Sequence, residues 1–90
     1  MKIYSLVHDG SYVIIDGEMI TATPKSNEYV GIKGLGKHVL LLLISNKNGI
    51  TRQELAQELF GRFSEKSTEL DMLDAAIRTL LDLELCDDKS

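Results

Sequence analysis

The rhythm of apolar and polar positions changes once along this chain. Up to residue 32 the apolar residues come in short runs separated by turn signals. Residues 2–7 carry Ile3, Tyr4, Leu6 and Val7 and stop at Asp9-Gly10, and Tyr12–Ile15 is a second apolar run that stops at Asp16-Gly17. Asp-Gly pairs supply the positive φ that tight hairpin turns require. Residues 19–23 form a β-branched run closed by Pro24, residues 24–27 are a turn by composition, and residues 28–32 resume as a strand through Tyr29, Val30 and Ile32. The pattern predicts a small antiparallel sheet of three or four short strands. The first two runs also read as one irregular hairpin.

From residue 37 the period becomes helical. Gly34-Leu35-Gly36 breaks the sheet and opens a helix over residues 37–45, whose Val39, Leu40, Leu41, Leu42, Leu43 and Ile44 predict burial on every side. It stops at Asn46-Lys47-Asn48-Gly49. Ile50 is extended, and Thr51-Arg52-Gln53-Glu54 is a capping box that starts a second helix running to about Phe63, with Leu55, Leu59 and Phe63 on one stripe. Gly61 marks an early fray of that helix. Residues 64–67 are a polar connector. Residues 68–85 form a third helix with a core stripe of Leu70, Leu73, Ile77, Leu80 and Leu81. A thinner stripe of Met72, Ala76, Thr79 and Leu83 reads either as a shallow groove or as more core. Only Cys86-Asp87-Asp88-Lys89-Ser90 follow, too few for a β-hairpin wing. The expected class is therefore α+β and winged-helix-like: an N-terminal antiparallel sheet, then three helices, in a single domain over residues 1–90.

Charge changes the picture. The formal net charge is −4, and it is uneven: residues 1–50 carry five bases and four acids, residues 51–90 five bases and ten acids. The third helix has five acids (Glu69, Asp71, Asp74, Asp82, Glu84) against Arg78 alone. A helix that reads DNA lies against phosphates and is basic there. The acidic half therefore disfavours nucleic acid and anionic membranes as partners. The longest apolar run, residues 39–44, is far short of the ~20 residues that span a bilayer. The N-terminus lacks the apolar core of a signal peptide. A soluble, cytoplasmic protein is expected.

Catalytic chemistry is not visible in the spacing. His8 and His38 are isolated and no third metal ligand is suggested. Residues 31–36 are glycine-rich but lack both the P-loop order and the dinucleotide fingerprint. Asp71 and Asp74 share a helix face without a pocket to shift their pKa. Cys86 is a lone cysteine, which excludes an intramolecular disulfide and reads as a small apolar residue. No enzyme and no cofactor are expected.

Three segments stand in order: residues 27–37 (NEYVGIKGLGK), a strand entering a leucine-rich helix; residues 50–59 (ITRQELAQEL); and residues 73–85 (LDAAIRTLLDLEL). Over residues 12–88 this resembles the PqqD-like family, the recognition elements of ribosomally made, modified peptides. That family has a strand leading into helix one, a "T-x-x-E-L" helix two, and a helix three ending in "L-x-x-x-G-L-L". This chain lacks the usual glycine at Leu83-Glu84-Leu85 and has Lys33 where asparagine is frequent. The resemblance implies that the chain binds the leader segment of a precursor peptide and delivers it to a leader peptidase or another modifying enzyme, as the discrete proteins of lasso-peptide pathways do. The leader adds as an antiparallel strand and lies against helix three. The implied contacts are Glu28, Tyr29, Val30, Gly31 and Ile32 on the strand. On the helix they are Asp71, Met72, Ala75, Ala76, Arg78, Thr79 and Leu83, with Arg78 facing a leader carboxylate and Asp71 or Asp74 a leader base.

Residues 44–55, together with the preceding "DG" turns, also resemble the winged-helix effector domain of OmpR- and ToxR-type regulators. Those have a basic third helix followed by a wing. The two expectations differ in partner, an extended peptide against duplex DNA.

Overall fold

A computed structural model describes residues 2–7, 12–24 and 28–88. The predicted Asp9-Gly10 turn, His8 and residues 25–27 lie outside them. The fold is α+β, with antiparallel strands first and three helices after. The elements are β1 (Ile3–Leu6), β2 (Tyr12–Ile15), β3 (Glu18–Ala22), β4 (Tyr29–Ile32), α1 (Gly34–Ser45), β5 (Ile50–Thr51), α2 (Arg52–Phe60), α3 (Thr68–Asp82) and β6 (Cys86–Asp88).

The strands form two sheets rather than one. β2, β3 and β4 make an antiparallel meander, while β1 leaves its sequence neighbours and lies between β5 and β6. In the meander, Met19 faces Ile32 and Ile14. In the second sheet, Tyr4 faces both Ile50 and Asp88. The β2–β3 connection is the two-residue turn predicted at Asp16-Gly17, with φ of 52° and 79°. Positive φ at both central residues matches the twist of the flanking strands, which is why Asp-Gly suits it.

Helix ends follow the sequence closely where side chains cap them. Thr51 Oγ1 accepts from the Glu54 amide at 3.1 Å, and the Glu54 carboxylate accepts from the Thr51 amide at 3.0 Å, so the capping box is complete. Glu54 is held below the usual carboxylate range by the Thr51 amide and then by its hydroxyl. α2 stops at Phe60, three residues before the predicted end, because Gly61 adopts a left-handed φ of 73° and turns the chain. α3 starts at the Ser67 cap, whose hydroxyl accepts from the Leu70 amide at 3.1 Å.

The end of α3 differs from the expected run to Leu85. The Leu85 amide donates to the Leu80 carbonyl at 2.9 Å and the Glu84 amide to the Leu81 carbonyl at 3.0 Å. These two bonds are those of a Schellman turn, with Leu80 and Leu85 both buried as its apolar pair. The left-handed residue is Glu84, φ 61°, where a glycine is usual. The chain then extends as β6 along β1, so Cys86 is a strand residue and not the last residue of a helix.

The core sits between the helices and the inner faces of both sheets. Met19, Leu43, Leu55, Leu73 and Leu80 are fully buried, with Tyr4, Ile32, Val39, Leu40, Ile50, Leu70, Ile77, Leu85 and Cys86 around them. A fully buried leucine contributes roughly 1.5–3 kcal/mol. α1 was expected to be buried all round. It buries Val39, Leu40 and Leu43, and leaves Leu41, Leu42 and Ile44 half-covered at the rim. No helix of the described residues is long and apolar enough to cross a membrane.

Candidate functional site

β4 forms one border of the meander, paired only with β3 among the described residues. The Thr23 amide donates to the Glu28 carbonyl at 2.8 Å, which makes Thr23 and Glu28 a hydrogen-bonded pair just beyond the strands. Antiparallel ladders alternate, so Val30 bonds back to Thr21 and Ile32 to Met19. The main-chain groups of Tyr29 and Gly31 therefore point away from the sheet. Side chains alternate too. Val30 and Ile32 face the core, whereas the Tyr29 ring, 79% exposed, stands on the outer face. The Glu18 side chain lies across Gly31, where a Cβ would collide with it, and its carboxylate is 3.7 Å from Lys33 Nζ. Lys37 Nζ donates to the Gly17 carbonyl at 2.9 Å and ties the β2–β3 turn to α1.

The strand residues named from the sequence thus fall into three kinds. Tyr29 and Gly31 offer outward hydrogen-bonding groups, Val30 and Ile32 belong to the core face, and Glu28 closes the β3–β4 connection outside the strand.

The helix residues stand on α3. α3 packs on α1, α2 and β6, while the partner of β4 is β3. Met72 is 50% exposed, Ala75 and Thr79 are exposed, and the Thr79 hydroxyl donates to the Ala75 carbonyl at 3.1 Å. Ala76 and Leu83 are half-buried against the core, so half of the thin stripe is core and half is surface. Asp71 is exposed. Asp74 is engaged by Arg52 through two hydrogen bonds of 2.7 and 2.9 Å, and Arg52 also approaches Glu65 at 3.9 Å. The Asp74 pairing holds the Arg52 guanidinium above its usual pKa. Arg78 lines a recess of about 400 Å³ whose other walls are Lys2, Tyr4, Arg52, Asp74, Ile77 and Leu81, from β1, α2 and α3 rather than from β4. Burial pushes the Tyr4 phenol up, so it is neutral and can donate near neutral pH.

No group of three or more His, Cys, Asp or Glu among the described residues could hold a metal ion. Burial, with Asp87 and Asp88 nearby, pushes the Cys86 thiol up to about 12, which leaves it protonated and unreactive at neutral pH. An apolar cavity of about 20 Å³ lies between Met19, Thr21 and Tyr12 on the sheet and Leu40 and Ile44 on α1; that is room for roughly one water.

Sequence reasoning missed one surface. All four residues of β2 are exposed, although a continuous apolar run reads as a buried strand. It also missed β6, whose two aspartates give no strand signal.

No protein-family model, curated protein or solved structure matches this chain.

Proposed function

We propose that this protein binds an extended peptide, the leader segment of a ribosomally made precursor, by adding it as a strand to β4, and passes it to a leader peptidase or another modifying enzyme. The observation that carries this reading is the outer border of β4: two residues, Tyr29 and Gly31, turn their main-chain groups outward, beside an aromatic ring that nothing among the described residues covers. Main-chain bonds of this kind give affinity that tolerates sequence variation, and the ring adds contact area. The Met72, Ala75 and Thr79 face of α3 is a separate contact for a segment that continues past the sheet or for the receiving enzyme. No chemistry on the peptide is assigned to this chain, and neither nucleic acid nor a membrane is a partner.

One observation favours a second reading. β5 lies between α1 and α2, and β6 follows α3 directly, which is the strand–helix order of winged-helix DNA readers. Electrostatics opposes it. The outward face of α3 presents Asp71, Asp74 and Asp82, and one of the nearby bases, Arg52, is spent on Asp74.

The two readings separate in one titration. Labelled short peptides encoded beside the gene and a labelled DNA duplex are each titrated at about 50 and about 200 mM salt. The peptide reading expects a dissociation constant of about 1 μM or lower for a peptide, with little salt dependence. Duplex binding that falls ~10³-fold over that range, with every peptide ignored, overturns it.

A further inference from the structure

Tyr4 is a buried residue whose polar end the fold leaves unused. It is only 6% exposed, yet its hydroxyl makes no hydrogen bond among the described residues. The oxygen is not sealed off either. Tyr4 lines the recess of about 400 Å³ between β1, α2 and α3, and a second of about 280 Å³ that shares Lys2, Tyr4 and Arg52 with it. Burial raises the phenol's pKa, and the charges of Lys2, Asp88, Asp74 and Arg52 act on it, so the hydroxyl stands at the charged end of the recess. A hydroxyl this deep without a partner is a donor that lacks its acceptor.

Three cations surround it, and two are already paired. Lys2 Nζ is 3.5 Å from the Asp88 carboxylate. Arg52 holds both oxygens of Asp74, at 2.7 and 2.9 Å. Glu65, 3.9 Å from Arg52, is 71% exposed and screened by water. Arg78 follows Asp74 by one turn on the same face of α3, and makes no ion pair or hydrogen bond among the described residues. Its positive charge is the one left over. Ile77 and Leu81 beside it are apolar wall.

We propose that this recess binds a carboxylate carried on an apolar group, with the Arg78 guanidinium taking its two oxygens and the Tyr4 hydroxyl donating to one of them. The planar fork of arginine matches a carboxylate in two parallel bonds. The uncancelled charge is a single unit, which a monoanion balances. A phosphate dianion exceeds it and meets Asp74 and Asp88. Ile77 and Leu81 cover the apolar body. The end of a peptide chain and a free organic acid share this chemistry. A chain end also brings an amide, for which Gln53 stands in the second recess with no side-chain bond among the described residues. β4 contributes no wall, so the inference does not rest on the peptide-strand reading, and either can fail alone.

The test is an NMR titration of the ¹⁵N-labelled chain at pH 7.5 and fixed ionic strength. The probes are N-acetyl-leucine, hexanoate, N-acetyl-leucinamide and inorganic phosphate. N-acetyl-leucine should bind with a dissociation constant of about 1 mM, as suits a ligand of its size, and shift the amides of Tyr4, Ile77, Arg78 and Leu81. Leucinamide, which has the same body without the charge, should not bind. Arg78→Gln and Tyr4→Phe should each weaken N-acetyl-leucine about 10-fold. Arg78 is exposed and Tyr4→Phe keeps the ring, so the amide spectrum of each variant should match the wild type outside the recess. Tighter binding of N-acetyl-leucine than of hexanoate supports a chain end as the ligand, and the reverse supports a free acid. No shifts up to about 20 mM acid overturn the proposal. So does equal binding of the amide or of phosphate. Indifference to Arg78→Gln overturns this recess as the seat, and indifference to Tyr4→Phe overturns the part given to the hydroxyl.

Discussion

Proline at Tyr29 and proline at Val30 are adjacent substitutions with opposite expected consequences. The Val30 amide points to Thr21, and its side chain is half-buried on the core face. Val30→Pro removes one ladder donor, which forfeits a hydrogen bond of about 1 kcal/mol and leaves an acceptor short of a partner at about 1–3 kcal/mol more. With the loss of a packed isopropyl group the total is about 3 kcal/mol, a large share of the roughly 5–13 kcal/mol expected of a domain this size. The Tyr29 amide points outward, so its removal leaves the ladder intact, and the expected loss of stability is about 1 kcal/mol or less. Urea unfolding followed by circular dichroism measures both. Binding should run the other way. A peptide added to β4 uses the Tyr29 amide, so Tyr29→Pro should bind about 10-fold more weakly than Tyr29→Ala, which loses the ring alone. Tyr29→Pro destabilising the fold as much as Val30→Pro would show that the ladder runs through the other set of residues. Equal binding by Tyr29→Pro and Tyr29→Ala would remove β4 as the docking border.

Four further outcomes are expected. Glu84→Gly should raise stability by about 0.5–1 kcal/mol in urea unfolding, since the left-handed C-terminal position of α3 then carries no side chain. Thr51→Ala should lower stability by about 1 kcal/mol through loss of the cap. It should also flatten the acid limb of the stability curve in part: the depressed Glu54 pKa gives stability that is present above the ordinary carboxylate value of 4.5 and is lost as pH falls through its lower folded value, and the substitution removes the Thr51 hydroxyl's share of that depression while the larger share, from the Thr51 amide, stays. For Cys86 the sign is reversed. Its folded pKa is raised, so the protein should lose stability as pH rises from its ordinary value of 9.0 toward about 12, and Cys86→Ala should show a shallower alkaline limb in the same unfolding assay. Met72→Glu should leave the urea midpoint unchanged, because the side chain is half-exposed, and weaken binding by about 1–3 kcal/mol if the peptide or its receiving enzyme covers α3; an unchanged isotherm would place Met72 outside the contact.

The parts of the fold that were legible in the sequence are those set by local chemistry. The Thr51–Glu54 box, the Asp16-Gly17 turn and the Leu70, Leu73, Ile77, Leu80, Leu81 stripe all depend on residues within a few positions of one another, and each formed as its spacing implied except that Leu81 is half-buried at the core's rim. What stayed hidden depends on remote partners. Cys86-Asp87-Asp88 has poor strand propensity and becomes a strand because β1 offers it a ladder. β1 in turn leaves β2 because Tyr4 can pair with Ile50 on one side and Asp88 on the other. The candidate site divides the same way. That residues 29–32 form a strand was readable; which of them face outward required the register with β3. The face of α3 carrying Met72 and Thr79 was readable from its period, but nothing in that period said that α3 would pack on α1, α2 and β6.

The pairing of Tyr4 with Asp88 has a consequence for synthesis. Helices and the β2–β4 meander can form as soon as their own residues leave the ribosome. The sheet built on β1 cannot close until the segment around residue 88 has emerged, several seconds after β1 at ordinary elongation rates. During that interval β1 has only β5 to pair with, and Ser5 and Leu6 have no strand opposite them, so the nascent chain should stay sensitive to protease and to chaperones until translation has passed β6.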